Sequence, residues 1–113
     1  MASSFSEMTD FEIDVAVAGI IHPGRKITNF AGEAVVWFGN LETRIVRYCN
    51  SWADAGPIIE RELIALSPER TDAGHYRWFA FSNEKEGYQQ VASNSPLRAA
   101  MIVFLMMNEA ANA

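Results

Sequence analysis

Two short stretches hold the residue types best suited to grip a ligand: Asn50-Ser51-Trp52-Ala53-Asp54 and Asn94-Ser95-Pro96-Leu97-Arg98. Each sets Asn and Ser before an expected helix start, where unpaired backbone N–H groups and the positive end of the helix dipole attract anions. Arg98, one turn inside the second helix, adds a fork of donors matched to a phosphate or carboxylate. Trp52, Trp78 and Tyr76 offer faces on which a planar base can stack. The predicted ligand-binding residues are therefore Asn50, Ser51, Trp52, Asp54, Trp78, Asn94, Ser95 and Arg98, and the expected ligand is a small nucleotide-like anion.

The same residues have a structural use, in which Asn50, Ser51 and Asp54 satisfy backbone groups and the aromatics fill the core. A cation near the positive end of a helix is electrostatically unfavourable, so Arg98 requires a partner. Asp54 is the expected one, in a structural salt bridge; a bound anion is the sharper alternative.

Other reactive types are scattered. His22 and His75 are isolated in sequence, Cys49 is single, and Glu60 with Glu62 matches a solvated strand edge as well as a catalytic pair. The chain carries no phosphate-binding glycine loop, dinucleotide fingerprint, HExxH, cysteine-rich metal pattern or GxSxG elbow. No catalytic residue, metal or cofactor is predicted. The alternative from another class is a small hydrolase or nucleotide-modifying enzyme using Asp54, His75 or Glu60.

The elements that must position these residues centre on 95–109. Ser95 can cap a helix whose first position, Pro96, loses nothing by lacking an N–H. Leu97, Met101, Phe104, Leu105 and Asn108 fall on one side of it, and Ala99, Ile102, Val103 and Met106 on the other. An all-apolar helix is either a membrane span or the middle of a core. The unbroken run 99–107 is about half of the roughly 20 residues that a bilayer requires, so burial by the rest of the chain or by another subunit is expected. One small sheet is too little to cover both sides, which predicts a homodimer or higher oligomer, with Met101, Met106 and Met107 in the core or at the subunit interface.

Before that helix, Thr9-Asp10-Phe11-Glu12 has capping-box spacing, with Met8 and Ile13 as a hydrophobic staple. A helix is expected from there to Gly19 or the His22-Pro23-Gly24 punctuation. The run 25–30 is ambiguous. Segments 33–38 and 43–48 are expected as a strand hairpin. A short or bent helix should start near Trp52 and end around Glu60, because Pro57 removes a backbone bond. Residues 62–66 are most simply a strand closed by Ser67-Pro68, then 70–74 a polar turn, 75–81 an aromatic strand, 84–88 a charged connection and 89–92 a last strand. The expected class is α+β: a small antiparallel sheet packed against a buried C-terminal helix, with an N-terminal helix and a short middle helix. Residues 1–113 are expected to be a single domain with loose ends at about 1–6 and 110–113.

At 113 residues, 50% hydrophobic and 20% charged, the chain has the composition of an ordinary globular domain. Fourteen acidic against nine basic residues give a net charge of −5. That field repels a phosphate backbone over much of the surface and counts against nonspecific nucleic-acid binding, although it leaves room for a local basic patch. The lone cysteine and the lack of a basic then apolar opening point to a reducing cytoplasm and no membrane partner.

The order of three segments adds a resemblance. The Thr9-Asp10-Phe11-Glu12-Ile13 opening, Asn50-Ser51-Trp52-Ala53-Asp54-Ala55-Gly56-Pro57-Ile58-Ile59 and the run from Ser95-Pro96-Leu97-Arg98 to Met106-Met107 together resemble the NinX-like family of small proteins of lambda-like phages and prophages. The stretches 21–32 and 69–87 do not align with that pattern. The resemblance implies a phage-encoded accessory protein acting in the cytoplasm of the bacterial host, and carries over no activity or catalytic residue. The expected function is non-enzymatic: binding and sequestering or blocking a host component, plausible targets being a small anionic ligand in counter-defence or, through the acidic surface, a host protein.

Overall fold

The computed structural model describes residues 2–72, 74–82 and 89–112. A short 3-10 helix over Ala2–Glu7 leads into α1 (Asp10–Ile21), three strands β1 (Ile27–Phe30), β2 (Glu33–Trp37) and β3 (Thr43–Val46), and α2 (Trp52–Glu62). Three more strands follow, β4 (Ala65–Arg70), β5 (Tyr76–Phe81) and β6 (Gln90–Ser93), before α3 (Pro96–Ala111) closes the chain. The α+β class is as expected, but the strands form two antiparallel sheets of three, ordered β1-β2-β3 and β4-β5-β6.

Helix α1 starts where the capping box placed it. Thr9 Oγ1 accepts the Glu12 N–H at 3.1 Å, and the Thr9 N–H donates to Glu12 Oε1 at 2.8 Å, satisfying two donors that the first turn leaves free. The ambiguous run before Phe30 is β1. It joins β2 through a two-residue turn, Ala31-Gly32, in which both residues have positive φ, 52° and 85°. Such a mirror-image turn matches strand twist, and Asn29 Oδ1 steadies it by accepting the Gly32 N–H at 2.8 Å. The expected hairpin of β2 and β3 is present, with Val36 opposite Arg44 and Ala34 opposite Val46.

The middle of the chain departs from expectation. Helix α2 runs past Glu60 to Glu62 despite Pro57, then stops at Leu63, which takes the left-handed conformation at φ 58°. The strand expected over 62–66 consequently begins only at Ala65 and continues through Ser67-Pro68 to Arg70. Pro68 is tolerated because β4 is an edge strand, whose outer N–H groups have no ladder partner to lose. The connection expected over 84–88 lies outside the described residues.

Helix α3 is the centre of the molecule, with Leu97, every residue from 99 to 105, and Met107 buried. The second sheet covers one side of it, and α1, α2 and the 3-10 helix cover the rest. Of the two covers expected for this helix, the rest of the chain or another subunit, the chain's own elements are seen to supply one. Among the described residues no helix is long and apolar enough to cross a membrane.

Candidate anion-binding cleft

The two capped helix starts exist, and a carboxylate of α1 lies beside side chains of both. Ser51 Oγ accepts the Asp54 N–H at 3.4 Å, and Ser95 Oγ accepts the Arg98 N–H at 3.3 Å. Arg98 does not pair with Asp54. Its Nη1 donates to Asp10 Oδ1 at 2.7 Å, and its Nη2 donates to the carbonyls of Met8 at 2.6 Å and Ser6 at 3.1 Å. The other oxygen of Asp10 accepts from Asn50 Nδ2 at 3.3 Å. Asn50 and Arg98 are therefore brought together, around a carboxylate of α1 rather than a ligand. Asp54 instead accepts the Arg47 N–H at 2.9 Å through Oδ2, closing the turn that enters α2.

The aromatic residues do not join this cluster. Trp52 is 57% exposed at the start of α2. Trp78 lies in β5 opposite Pro68 and Ser93, and Tyr76 lies at the exposed end of the same strand. Neither ring pair, His22–Phe38 or Phe79–Phe81, includes any of these three. Asn94 is exposed in the turn before α3. Of the residues offered for catalysis, His75 sits in the β4–β5 turn, its carbonyl accepting from Thr71, while Asp54 and Glu60 lie on α2.

Beside Asp10, a second acid is enclosed. Asp14 is 5% exposed, and its Oδ1 accepts the Cys49 N–H at 3.0 Å. Burial raises its pKa to about 6; the Cys49 backbone hydrogen bond opposes that shift, and the charges of Asp10 and Glu33 add to it. Among the described residues no group of His, Cys, Asp and Glu side chains is arranged to hold a metal ion.

Asp54 does belong to an open site, on the other side of α2's first turns. A cleft of about 290 Å³ lies between the end of α1, the region around β3, and α2, and it is lined by His22, Arg44, Tyr48, Asp54, Pro57 and Arg61 among others. The spacing 54, 57–58, 61 puts one face of α2 along one wall. Arg44 comes from the core-facing side of β3, since its partner Val36 and the next inward residue Val46 are both buried. At the rim, where α1 has ended, this guanidinium meets solvent instead of apolar packing.

The cleft carries both signs of charge, Arg44 and Arg61 against the Asp54 carboxylate. Arg44 has no carboxylate within ion-pair distance among the described residues, and it lies over the Phe38 ring, 5.5 Å from the centroid. Arg61 is partly engaged, its Nε donating to Glu62 at 2.8 Å. His22 Nε2 is buried without a hydrogen-bond partner, an arrangement that costs about 1–3 kcal/mol if nothing fills it. Burial first, then the charges of Arg44 and Arg25, lower the His22 pKa, so the imidazole is neutral at pH 7. Tyr48 is pushed up to about 12, by burial and then by Asp54, and stays a neutral phenol.

Sequence reasoning does not find this cleft. Arg44 reads as the end of a strand and His22 as turn punctuation, and nothing local brings 22, 44 and 61 together. The one available signal is Arg44 itself, a charge in phase with the inward Val46 of an alternating strand.

A search of curated proteins finds no match to this chain. The family model described as Bacteriophage P22, NinX, matches residues 4–108, which include α1, both sheets and most of α3. The chain belongs to the phage NinX family.

Proposed function

We propose that this phage accessory protein binds a small anionic, nucleotide-like ligand of the host and sequesters it, as a counter-defence activity. The observation that supports this is the cleft in which an unpaired guanidinium, Arg44, stands beside a buried imidazole nitrogen with no partner. A phosphoryl oxygen would pair with Arg44, and Arg61 and Tyr48 line the same space. The site proposed here keeps Asp54 from the sequence-based set and replaces Arg98, which is occupied by Asp10.

One charge-assisted contact from Arg44 is worth about 1.5–3 kcal/mol, so Arg44→Gln is expected to weaken AMP binding by about 10- to 150-fold, read by titration calorimetry. The same titration yielding no heat for AMP or any other nucleotide would remove the proposal. Incubating the protein with a mixed nucleotide pool and analysing what is released on denaturation separates the two classes of activity: an intact ligand supports sequestration, an altered one catalysis.

A further inference from the structure

The cleft is one side of a larger basic feature, whose role rests on the anion-binding reading of the cleft itself. Phe38 is the hub. His22 meets its ring edge-on at 5.1 Å between centroids, Arg44 lies 5.5 Å from its centroid and Arg25 lies 5.4 Å from it. Arg25 is fixed twice more, its Nη1 donating to the Phe38 carbonyl at 3.3 Å and its own N–H to the His22 carbonyl at 3.2 Å. The turn from His22 to Arg25 therefore carries one end into the cleft and the other out beside it.

Beyond Arg25 a second depression, about 430 Å³, is lined by Gly24, Arg25, Lys26, Trp37, Gly39 and Asn40. Lys26 Nζ lies 5.4 Å from the Trp37 ring centroid. Among the described residues, the ion pairs involve Arg47, Arg61 and Arg98 and leave Arg25, Lys26 and Arg44 without a carboxylate. In a chain with fourteen acidic and nine basic residues, three cations left unpaired around two adjacent depressions form a strong local contrast. Contacts to aromatic faces orient these groups without neutralising them. Rings also limit the rotamer freedom that a long cationic side chain loses when it takes up an anion.

We propose that the cleft and the shelf form one bipartite site for a dinucleotide, a ligand with two phosphoryl groups held apart by a nucleoside. One phosphoryl group sits at Arg44, the other at Arg25 and Lys26, and the nucleoside between them passes Phe38. A ligand spanning both lobes gains the second contact as an intramolecular event, so its affinity exceeds that of a mononucleotide without a new kind of interaction.

The test compares AMP, ATP, linear pApA and cyclic di-AMP by titration calorimetry on the full chain, wild type and the variants Lys26→Gln and Arg25→Gln/Lys26→Gln, each checked for an unchanged melting curve. The expected result is that pApA or cyclic di-AMP binds about 10-fold or more tighter than AMP, and that the shelf variants bring that ratio close to one. Lys26→Gln alone keeps the test valid if losing the Arg25 bonds unfolds the turn. A ratio that the shelf variants leave intact overturns the bipartite site while the cleft stands. An equal gain for ATP overturns the requirement that the phosphoryl groups be separated. AMP and both dinucleotides failing to bind removes this inference and the anion-binding reading together.

Discussion

Asp10 shows how an arginine that looks free for a ligand can be taken up by the protein itself. Its carboxylate takes Arg98 of α3 on one oxygen and Asn50, just before α2, on the other, while Arg98 also holds two carbonyls of the opening segment. Arg98→Ala removes one charged and two carbonyl contacts at once and is expected to lower stability by about 2–3 kcal/mol, measured by urea denaturation, with AMP binding at the cleft retained in the folded fraction. That Arg98 needed an anion was legible in the sequence; which anion was not, because Asp10 is 88 positions away. Asp14 gives a pH-dependent case. Its folded pKa, about 6, lies above the ordinary 3.8, so its contribution is most favourable below pH 4 and is lost as pH rises to 6. Asp14→Asn keeps an oxygen to accept the Cys49 N–H but cannot ionise. The variant is expected to gain stability relative to wild type between pH 4 and pH 7, by about 2–3 kcal/mol, and denaturation at both pH values checks the sign.

At the scale of elements, the first sheet depends on a turn that its residue types conceal. Ala31 occupies the left-handed region at φ 52°, an unfavourable place for a side chain with a Cβ. Ala31→Asn converts Ala-Gly into the Asn-Gly pair that such turns favour, and is expected to add about 0.5–1 kcal/mol to stability, read as a rise in melting temperature. The same position explains why β1 was ambiguous in the sequence: Ala is not a turn signal, so the run before it had no visible boundary. Capping chemistry, by contrast, placed the starts of α1, α2 and α3 at Thr9, Ser51 and Ser95, because side-chain caps act over three residues. The end of α2 and the start of β4 were misplaced for the converse reason. Leu63 terminates the helix by backbone conformation and Pro68 survives at a sheet edge, and both depend on tertiary surroundings rather than on local preference.

For the molecule as a whole, α3 is the part most fully specified by its own residues. Nothing in it except Arg98 offers water a charged group before Glu109, and the second sheet, two helices and the opening turn enclose it. The cleft is legible only at this scale, since it exists where α1 ends short of covering the inner face of the first sheet. One consequence concerns Cys49, which is 2% exposed and belongs to the common core cluster. Burial, then the neighbouring Asp14 and Asp10 charges, pushes its thiol pKa well up, so the native state presents no thiolate to an alkylating reagent. Modification must await an opening of the core, making its rate a built-in clock for rare excursions of the whole chain. The half-time under native conditions is expected to exceed that in urea by about a thousandfold or more, and to lengthen further when AMP is present, by the factor with which AMP favours the closed form.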